Sequence, residues 1–223
     1  MLNPIKMLSE SEGLICIDYS VVLVTYNRAQ NLDACLQKIA EYNWGYLDFV
    51  VLDNNSSDNT RDVLSKWQQK LRLEVVYSQV NVGHGAGLGL AFEQILAARQ
   101  IPKFILLLED DSVPESDLPE ILLNRMEDDR GFDLISCQGW RRKLGSRNRV
   151  FCNSLTDVDF CLLDGAMLRS DIILQLGLPE CDWFMMVDDF EYCYRIKRAG
   201  FKIGASNRIN HNAMHIRGTL RGG

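Results

Sequence analysis

Residues 104–112 read FILLLEDDS and place three adjacent carboxylates, Glu109, Asp110 and Asp111, directly after a wholly apolar run. Five consecutive apolar residues that end at polar ones predict a buried strand. Adjacent like charges raise one another's pKa, so a positive partner is needed to keep all three acids ionised. A divalent cation is the simplest such partner. The stretch therefore predicts a buried strand that ends at a metal site.

The same alternation of buried strand and helix runs through the first half of the chain. Apolar runs predict strands at 19–25, 47–52, 73–78 and 104–108, and helical spacing of apolar residues follows the first three at about 32–39, 61–70 and 86–99. Strands that are apolar on both faces and alternate with helices indicate a parallel sheet covered on both sides. We therefore predict an α/β fold with a Rossmann-like, mostly parallel central sheet.

The second half is less regular. It predicts a helix through about 125, strands at 132–137 and 158–168, a short helix near 170–176, and a last helix that begins at VDDFEY and ends at Gly200. No repeat, low-complexity run or Pro/Ser-rich linker separates the two halves. We expect residues 1–223 to form a single domain.

Composition narrows the class of protein. The 223 residues are 47% hydrophobic and 24% charged, which is typical of a soluble globular protein. The net charge of -6 argues against nucleic acid as a partner. The apolar runs are too short to cross a bilayer and the N-terminus lacks a signal-peptide core, so we expect a cytoplasmic protein. Seven cysteines without a CxxC pair indicate reduced, buried thiols.

One segment departs from the acidic balance. Residues 140–149, WRRKLGSRNR, carry five basic residues and no acid. We predict a solvated loop here. The alternative is a segment that contacts phosphate, either on a substrate or on an anionic membrane surface.

Polar residues follow each predicted strand of the first half. They are Thr25 and Asn27 after the first strand, Asp53 after the second, Asn81 and Gly83 after the third, and the three acids after the fourth. Ligands of parallel sheets bind beyond the carboxyl ends of the strands, so one crevice should collect these side chains. There, Asp53 could accept hydrogen bonds from a nucleobase or a ribose hydroxyl.

The glycine loop, NVGHGAGLGLAFEQ at 81–94, follows a strand and opens a helix, as a dinucleotide-binding fingerprint does. The spacing fails, because Leu88 and Leu90 stand where that fingerprint requires glycine. The helix start could still face a phosphate. NAD binding therefore remains an alternative.

The acidic residues of DDFE, 188–191, have two explanations. Asp188 and Glu191 fit a helix capping box, which does not require Asp189. A carboxylate on the first turn of a helix could instead be a base that deprotonates a hydroxyl. Among the histidines, His211 and His215 lie four apart near the C-terminus, and either could contact a metal.

Six stretches together resemble family 2 glycosyltransferases of the GT-A fold. In family order over about 19–215 they are VVLVTYNR, VVLDNNSSDNT, NVGHGAGLGLAFEQ, LLLEDDSVP, LLDGAMLR and VDDFEYCYRIKRAGFKIG. The resemblance, which is to bacterial rhamnosyl, galactosyl and galactofuranosyl transferases, implies inverting transfer from a UDP or dTDP sugar to a glycan or lipid-linked acceptor. It implies a nucleotide-sugar half at about 19–137 and an acceptor and catalytic half at about 150–216. It also suggests peripheral association with the inner face of the cell membrane.

The resemblance also assigns roles to residues. It implies that Asp189 is the catalytic base, and that Mn²⁺ or Mg²⁺ is bound by Asp111, Glu109 and His211. The nucleotide-binding residues that it implies are Thr25, Asn27, Asp53, Asn81, Gly83 and Asp110. The residues that it implies as contacts of the transferred sugar and the acceptor are Asp164, Gly165, Trp183 and Asp188. Glu109 stands where the family usually has Asp. By its position after the last helix, His211 fits the metal site better than His215.

Other classes of protein remain open. A catalytically silent relative would bind the nucleotide sugar without turnover. A nucleotidyltransferase would carry a glycine-rich basic signature after its first strand, where this chain has TYNRAQN. We rank both below the transferase.

Overall fold

The structure is a computed structural model that describes residues 18–128, 131–143, 146–149, 154–181, 187–206, 209 and 211–212. The first half contains β1 (Tyr19–Thr25), α1 (Ala29–Tyr42), β2 (Phe49–Asp53), α2 (Thr60–Leu71), β3 (Leu73–Tyr77), α3 (His84–Ala97), β4 (Phe104–Glu109), β5 (Val113–Pro114) and α4 (Leu118–Asp128). The second half contains β6 (Leu134–Ser136), β7 (Gly139–Lys143), β8 (Ser146–Arg149), β9 (Thr156–Val158), β10 (Phe160–Cys161), β11 (Ala166–Arg169), α5 (Ser170–Leu176), α6 (Asp188–Arg198), β12 (Ile203–Ala205) and β13 (His211–Asn212).

Eight of these strands form one sheet in the order β3-β2-β1-β4-β11-β6-β12-β9. The pairs β3–β2, β2–β1, β1–β4 and β6–β12 are parallel, whereas β11 runs antiparallel to both of its neighbours and β9 runs antiparallel to β12. The four strands predicted in the first half are all present, within two residues of the predicted ends. The predicted α/β fold with a mostly parallel sheet is confirmed.

The sheet is buried on both faces because its apolar strands serve two cores. Along β1, Val21 and Leu23 pack into one core with α1, α2 and α4, while Val22 and Val24 pack into the other with α3, α5 and α6. Every residue of β1 is therefore buried. This two-sided burial explains why the strands are continuous apolar runs and do not alternate apolar with polar residues. No described helix is long and apolar enough to cross a membrane.

The second half differs from the sequence prediction in two places. The strand predicted at 158–168 is broken into β9, β10 and β11, because β10 pairs with β7 outside the main sheet and β11 returns to pair with β4. A turn at Asp164–Gly165, with Gly165 at φ +67°, allows this change of direction.

The basic segment 140–149 was predicted as a loop, and that prediction is wrong. It forms the antiparallel hairpin β7–β8, which joins β10 in a second, three-stranded sheet. The ring of Trp140 stacks on Phe160 with centroids 5.1 Å apart, so the hairpin gains an apolar anchor that its charged composition conceals.

Candidate functional site

The carboxyl ends of β1, β2 and β4 meet near the middle of the main sheet. The β1–β2 register places Thr25 beside Asp53, and the β1–β4 register places Val24 beside Glu109. The turn before β11 lies at the same edge, because the backbone N–H of Glu109 donates to Asp164 Oδ1 at 3.0 Å. The sheet thus brings together side chains that are far apart in sequence.

Asp110 is the most enclosed of the three acids. Its side chain accepts a hydrogen bond from Thr25 Oγ1 at 2.7 Å and one from Arg28 Nη1 at 3.2 Å. Burial raises the pKa of Asp110 to about 6, although the Thr25 hydroxyl and the Arg28 charge both act to lower it. The same Arg28 nitrogen contacts Asp111. Arg28 therefore supplies part of the positive charge that the acids require, a role the sequence analysis missed.

Glu109 has different neighbours. Together with His84, Leu163 and Asp164 it borders a narrow gap that has no room for a water molecule. Burial raises the pKa of Glu109 to about 8, and the negative charge of Asp164 adds to this rise. A carboxyl group with so high a pKa lacks a full counter-charge.

The donor set suits a divalent cation. The three acids and Asp164 are hard oxygen donors, which Mg²⁺ and Mn²⁺ prefer. An added positive charge would offset the repulsion that raises the pKa of Glu109. By charge and donor chemistry these acids, all of which the structure describes, therefore fit such an ion, while no three of them place ligand atoms within 4.8 Å of one another.

The backbone of His211 lies close to the acids. Strand β13 pairs antiparallel with β5, which follows the acids directly, and His211 is opposite Pro114. His215 and Trp183, which also entered the sequence predictions, lie outside the described residues.

The polar residues after β1 and β2 organise the loop between β2 and α2. Asn27, at φ +51°, accepts hydrogen bonds from the backbone N–H groups of Ser57 at 2.7 Å and Asp58 at 3.3 Å. Asp53 is fully buried, and its two oxygens accept from Ser56 N at 2.9 Å and Arg61 Nε at 3.3 Å. Both side chains are thus already partnered by the protein, so any nucleobase contact would share these acceptors.

The glycine loop has structural reasons for its composition. Gly83 adopts φ +85°, its N–H donates to Asn81 Oδ1 at 3.0 Å, and its carbonyl accepts from Asn54 Nδ2 at 3.0 Å. A Cβ on Gly87 would lie 2.8 Å from Leu52 Cδ2, so glycine there lets α3 approach the sheet closely. These contacts explain why residues 83 and 87 are glycine, and a bound dinucleotide is not needed for that explanation.

The start of α6 does not form the predicted capping box. The N-cap residue is Val187, Asp188 contacts His84 Nδ1 through its carboxylate, and Glu191 pairs with Arg195. The prediction is wrong because Asp188 lies inside the helix, where its side chain turns toward α3.

Asp189 lies beside that pair, on the first turn of α6 in the second half of the chain. Its carboxylate accepts a hydrogen bond from the backbone N–H of Leu163. Burial raises the pKa of Asp189 to about 6, the negative charge of Asp188 adds to the rise, and His84 opposes it. Among the described residues, His84, Asp188 and Asp189 place ligand-type atoms within 4.8 Å of one another, but an ion pair already joins the first two.

The site therefore contains two chemically distinct groups of acids. The acids after β4 could hold a cation and, through it, a phosphate. Asp189 is a carboxylate that is mostly ionised at neutral pH, yet its raised pKa makes it a better proton acceptor than an ordinary Asp.

Comparison with known proteins identifies the family. The model of "Glycosyl transferase family 2" matches residues 20–161, which is more than half of the chain. A curated relative, the low-salt glycan biosynthesis hexosyltransferase Agl10 of Haloferax volcanii, is 22% identical over 216 residues, covering 87% of this chain and 67% of the relative. The chain spans between 14% and 67% of the length of the curated relatives that it matches.

Solved structures agree on the fold. The mannosyltransferase PcManGT of Pyrobaculum calidifontis, solved with GDP-Man and Mn²⁺, superposes with a TM-score of 0.69 at 18% identity, covering 90% of this chain and 58% of that one. Residues 1–349 of TarS from S. aureus, solved with UDP-GlcNAc, give 0.65 at 17% identity, covering 87% and 57%. The chain belongs to glycosyl transferase family 2 and has the GT-A fold.

Proposed function

We propose that this glycosyltransferase moves a sugar from a nucleoside-diphosphate sugar to a hydroxyl group of a glycan or lipid-linked acceptor, with inversion at the anomeric carbon. The observation that carries the proposal is Asp189, a partly buried carboxylate with a pKa of about 6 on the first turn of α6, an element separate from the strand that precedes Asp110 and Asp111. Inversion requires a base on the face of the sugar opposite the leaving diphosphate, and we assign Asp189 to that position.

The donor side would be formed by the first half of the chain. We assign the nucleotide to Thr25, Asn27, Asp53, Asn81, Gly83 and Asp110. Structural neighbours were solved with GDP-Man and with UDP-GlcNAc, which supports a nucleotide sugar as the donor. Our assignment of UDP or dTDP as the nucleotide rests on the resemblance of the sequence.

A divalent cation would be held by Asp111 and His211, with Glu109 as a further predicted ligand. When bound, Mn²⁺ or Mg²⁺ offsets the charge that develops on a departing diphosphate, an effect worth several kcal/mol. The mannosyltransferase neighbour with Mn²⁺ and the fit of the acids to a hard cation support this assignment. His211 is included because β13 places its backbone beside the segment that follows Asp111.

The acceptor side would be formed by the second half. Asp189 takes the proton of the acceptor hydroxyl as that oxygen bonds to the sugar carbon, and the Leu163 N–H holds the carboxylate in place. Asp164, Gly165, Asp188 and Trp183 are assigned to the transferred sugar and the acceptor. We expect the reaction in the cytoplasm, at the inner face of the cell membrane, where the basic segment could meet anionic lipid.

Substitution of the base tests this proposal. Asp189→Asn should lower the release of nucleoside diphosphate from UDP-glucose, UDP-galactose or dTDP-rhamnose by about 10²–10⁴-fold, because a neutral amide accepts no proton. Nucleotide affinity should stay within about twofold, since Asp189 is on the acceptor side.

Asp171→Asn, at an exposed position on α5, is the matched control and should behave as the wild type. If Asp189→Asn released nucleoside diphosphate as fast as the wild type does, Asp189 would not be the catalytic base. If the wild-type protein bound nucleotide but turned over no donor with any acceptor, the alternative of a catalytically silent relative would be favoured.

A further inference from the structure

The contact between His84 and Asp188 joins the two halves of the site. His84 is the first residue of α3 and Asp188 the first residue of α6, 104 positions apart in the chain. Their side chains are 21% and 5% exposed. A buried ion pair is costly to form, so its position beside the catalytic residues calls for an explanation beyond surface charge.

The imidazole of His84 faces carboxylates from two elements. They are Asp188 and Asp189 on α6 and Glu109 on β4. Burial opposes a charge on this ring, but the hydrogen bond and charge of Asp188, together with the charges of Glu109 and Asp189, outweigh it and raise the pKa of His84 to about 9. The ring is therefore an imidazolium at neutral pH.

The first turn of α6 needs such a partner. Asp188 and Asp189 are adjacent carboxylates, and the charge of Asp188 raises the pKa of Asp189, while His84 lowers it. No side-chain cap fixes this helix start, because the N-cap is Val187. His84 is thus the cation placed to offset the repulsion between the two acids and to hold the turn.

A purely structural role of the His84–Asp188 pair, as an anchor for α6, would not require a position beside the acids of the site. The Arg195–Glu191 pair on α6 already ties that helix to the carbonyls of Leu176 and Leu178. His84, by contrast, borders the gap beside Glu109 and Asp164 and is the first residue of α3, within the glycine loop. It is therefore placed to couple the donor-side loop to the acceptor-side base.

We propose that His84 is a positioning residue for the catalytic base: it pairs with Asp188 and lies within 4.8 Å of Asp189, so that it fixes the first turn of α6 against the glycine loop and balances the charges of the two acids. This inference rests on the proposed role of Asp189 as the base. His84 touches no reacting atom in this account and acts through its two neighbours.

Carboxylate NMR tests the electrostatic part without any donor. In protein labelled with ¹³C at aspartate side chains, the Asp189 signal is assigned by its loss in Asp189→Asn. His84→Gln retains hydrogen-bonding capacity but loses the charge, so the titration midpoint of Asp189 should rise by about one pH unit or more. Lys197→Gln removes a positive charge from the far end of the same helix and should leave the midpoint unchanged. An unchanged midpoint in folded His84→Gln would overturn the proposal.

A second variant covers the case in which His84→Gln does not fold. Asp188→Asn removes the partner from the other side, and the His84 ring, followed by ¹⁵N NMR, should then titrate at lower pH than in the wild type. A His84 midpoint that does not move would equally overturn the proposal.

Kinetics separates positioning from general damage. With a donor that the wild type turns over, His84→Gln should lower kcat at pH 7, recover part of the loss at higher pH, and keep nucleotide affinity within about twofold. A loss that is equal at every pH would contradict the electrostatic role. If Asp189→Asn were fully active, the proposed function would fail, yet the NMR result would still decide whether His84 controls Asp189.

Discussion

At the residue scale, Arg28 is the cation that contacts the acids after β4, at Asp110 and Asp111, while His84 contacts Asp188 on α6. The acid cluster itself could be predicted from the sequence, because three consecutive carboxylates follow an apolar run. The roles of Arg28 and His84 could not, since each depends on contacts across more than 80 residues that exist only in the folded chain. Arg28 follows the polar residues after β1 directly, which is the one local signal that could have suggested it.

The raised pKa values make stability depend on pH. Burial raises the pKa of Glu109 to about 8 and those of Asp110 and Asp189 to about 6, all above the values of an unfolded chain. The folded state then binds more protons than the unfolded state between about pH 4 and 8, so the free energy of unfolding should fall as pH rises through this window. Urea unfolding of the metal-free protein at pH 5, 6.5 and 8 measures it.

A divalent cation should reverse part of that loss. Saturating Mg²⁺ at pH 8 should raise the free energy of unfolding, while at pH 5 the protonated acids should bind it weakly and gain little. Stability that is flat from pH 5 to 8, or a Mg²⁺ effect of equal size at both values, would contradict the account of this acid cluster.

At the element scale, α3 approaches the sheet closely because Gly87 has no side chain. A Cβ there would lie 2.8 Å from Leu52 Cδ2 and 3.1 Å from Val24 Cγ1, both in the core. Gly87→Ala should therefore lower the free energy of unfolding by about 1–2 kcal/mol through overpacking. Chemical denaturation measures the change.

Gly89→Ala is the matched control on the same helix. Its Cβ would lie 3.5 Å from Leu178 Cβ, an ordinary van der Waals contact. Because alanine favours a helix over glycine by up to about 1 kcal/mol, this variant should be neutral or more stable. If both variants lost the same stability, the close approach at Gly87 would not be the cause.

The elements also show where sequence patterns have predictive value. The strands β1, β2 and β4 were predictable because burial on both faces requires almost continuous apolar runs. The hairpin β7–β8 was not, because its residues are basic and its anchor, the stack of Trp140 on Phe160, depends on a distant strand. The break between β10 and β11 was hidden because the residues on both sides of the turn are equally apolar.

At the scale of the whole molecule, one sheet carries the donor-side and acceptor-side residues. Strand β11 joins the parallel half at β4 and places Asp164 beside Glu109, while α6 brings Asp189 from the other direction. We propose that the two halves form a single domain for this reason. In the function that we propose, a nucleotide and a cation bind together at the edge of that sheet.

The most direct test of this claim is calorimetric titration of UDP, dTDP and GDP into the protein, each with Mn²⁺ and again with EDTA. The account predicts that one nucleotide binds with Mn²⁺, that EDTA weakens its affinity at least about tenfold, and that Asp111→Asn reproduces the EDTA result with Mn²⁺ present. Binding of none of the three, or equal affinity in Mn²⁺ and EDTA, would contradict a site in which the acids hold a cation for a nucleotide sugar.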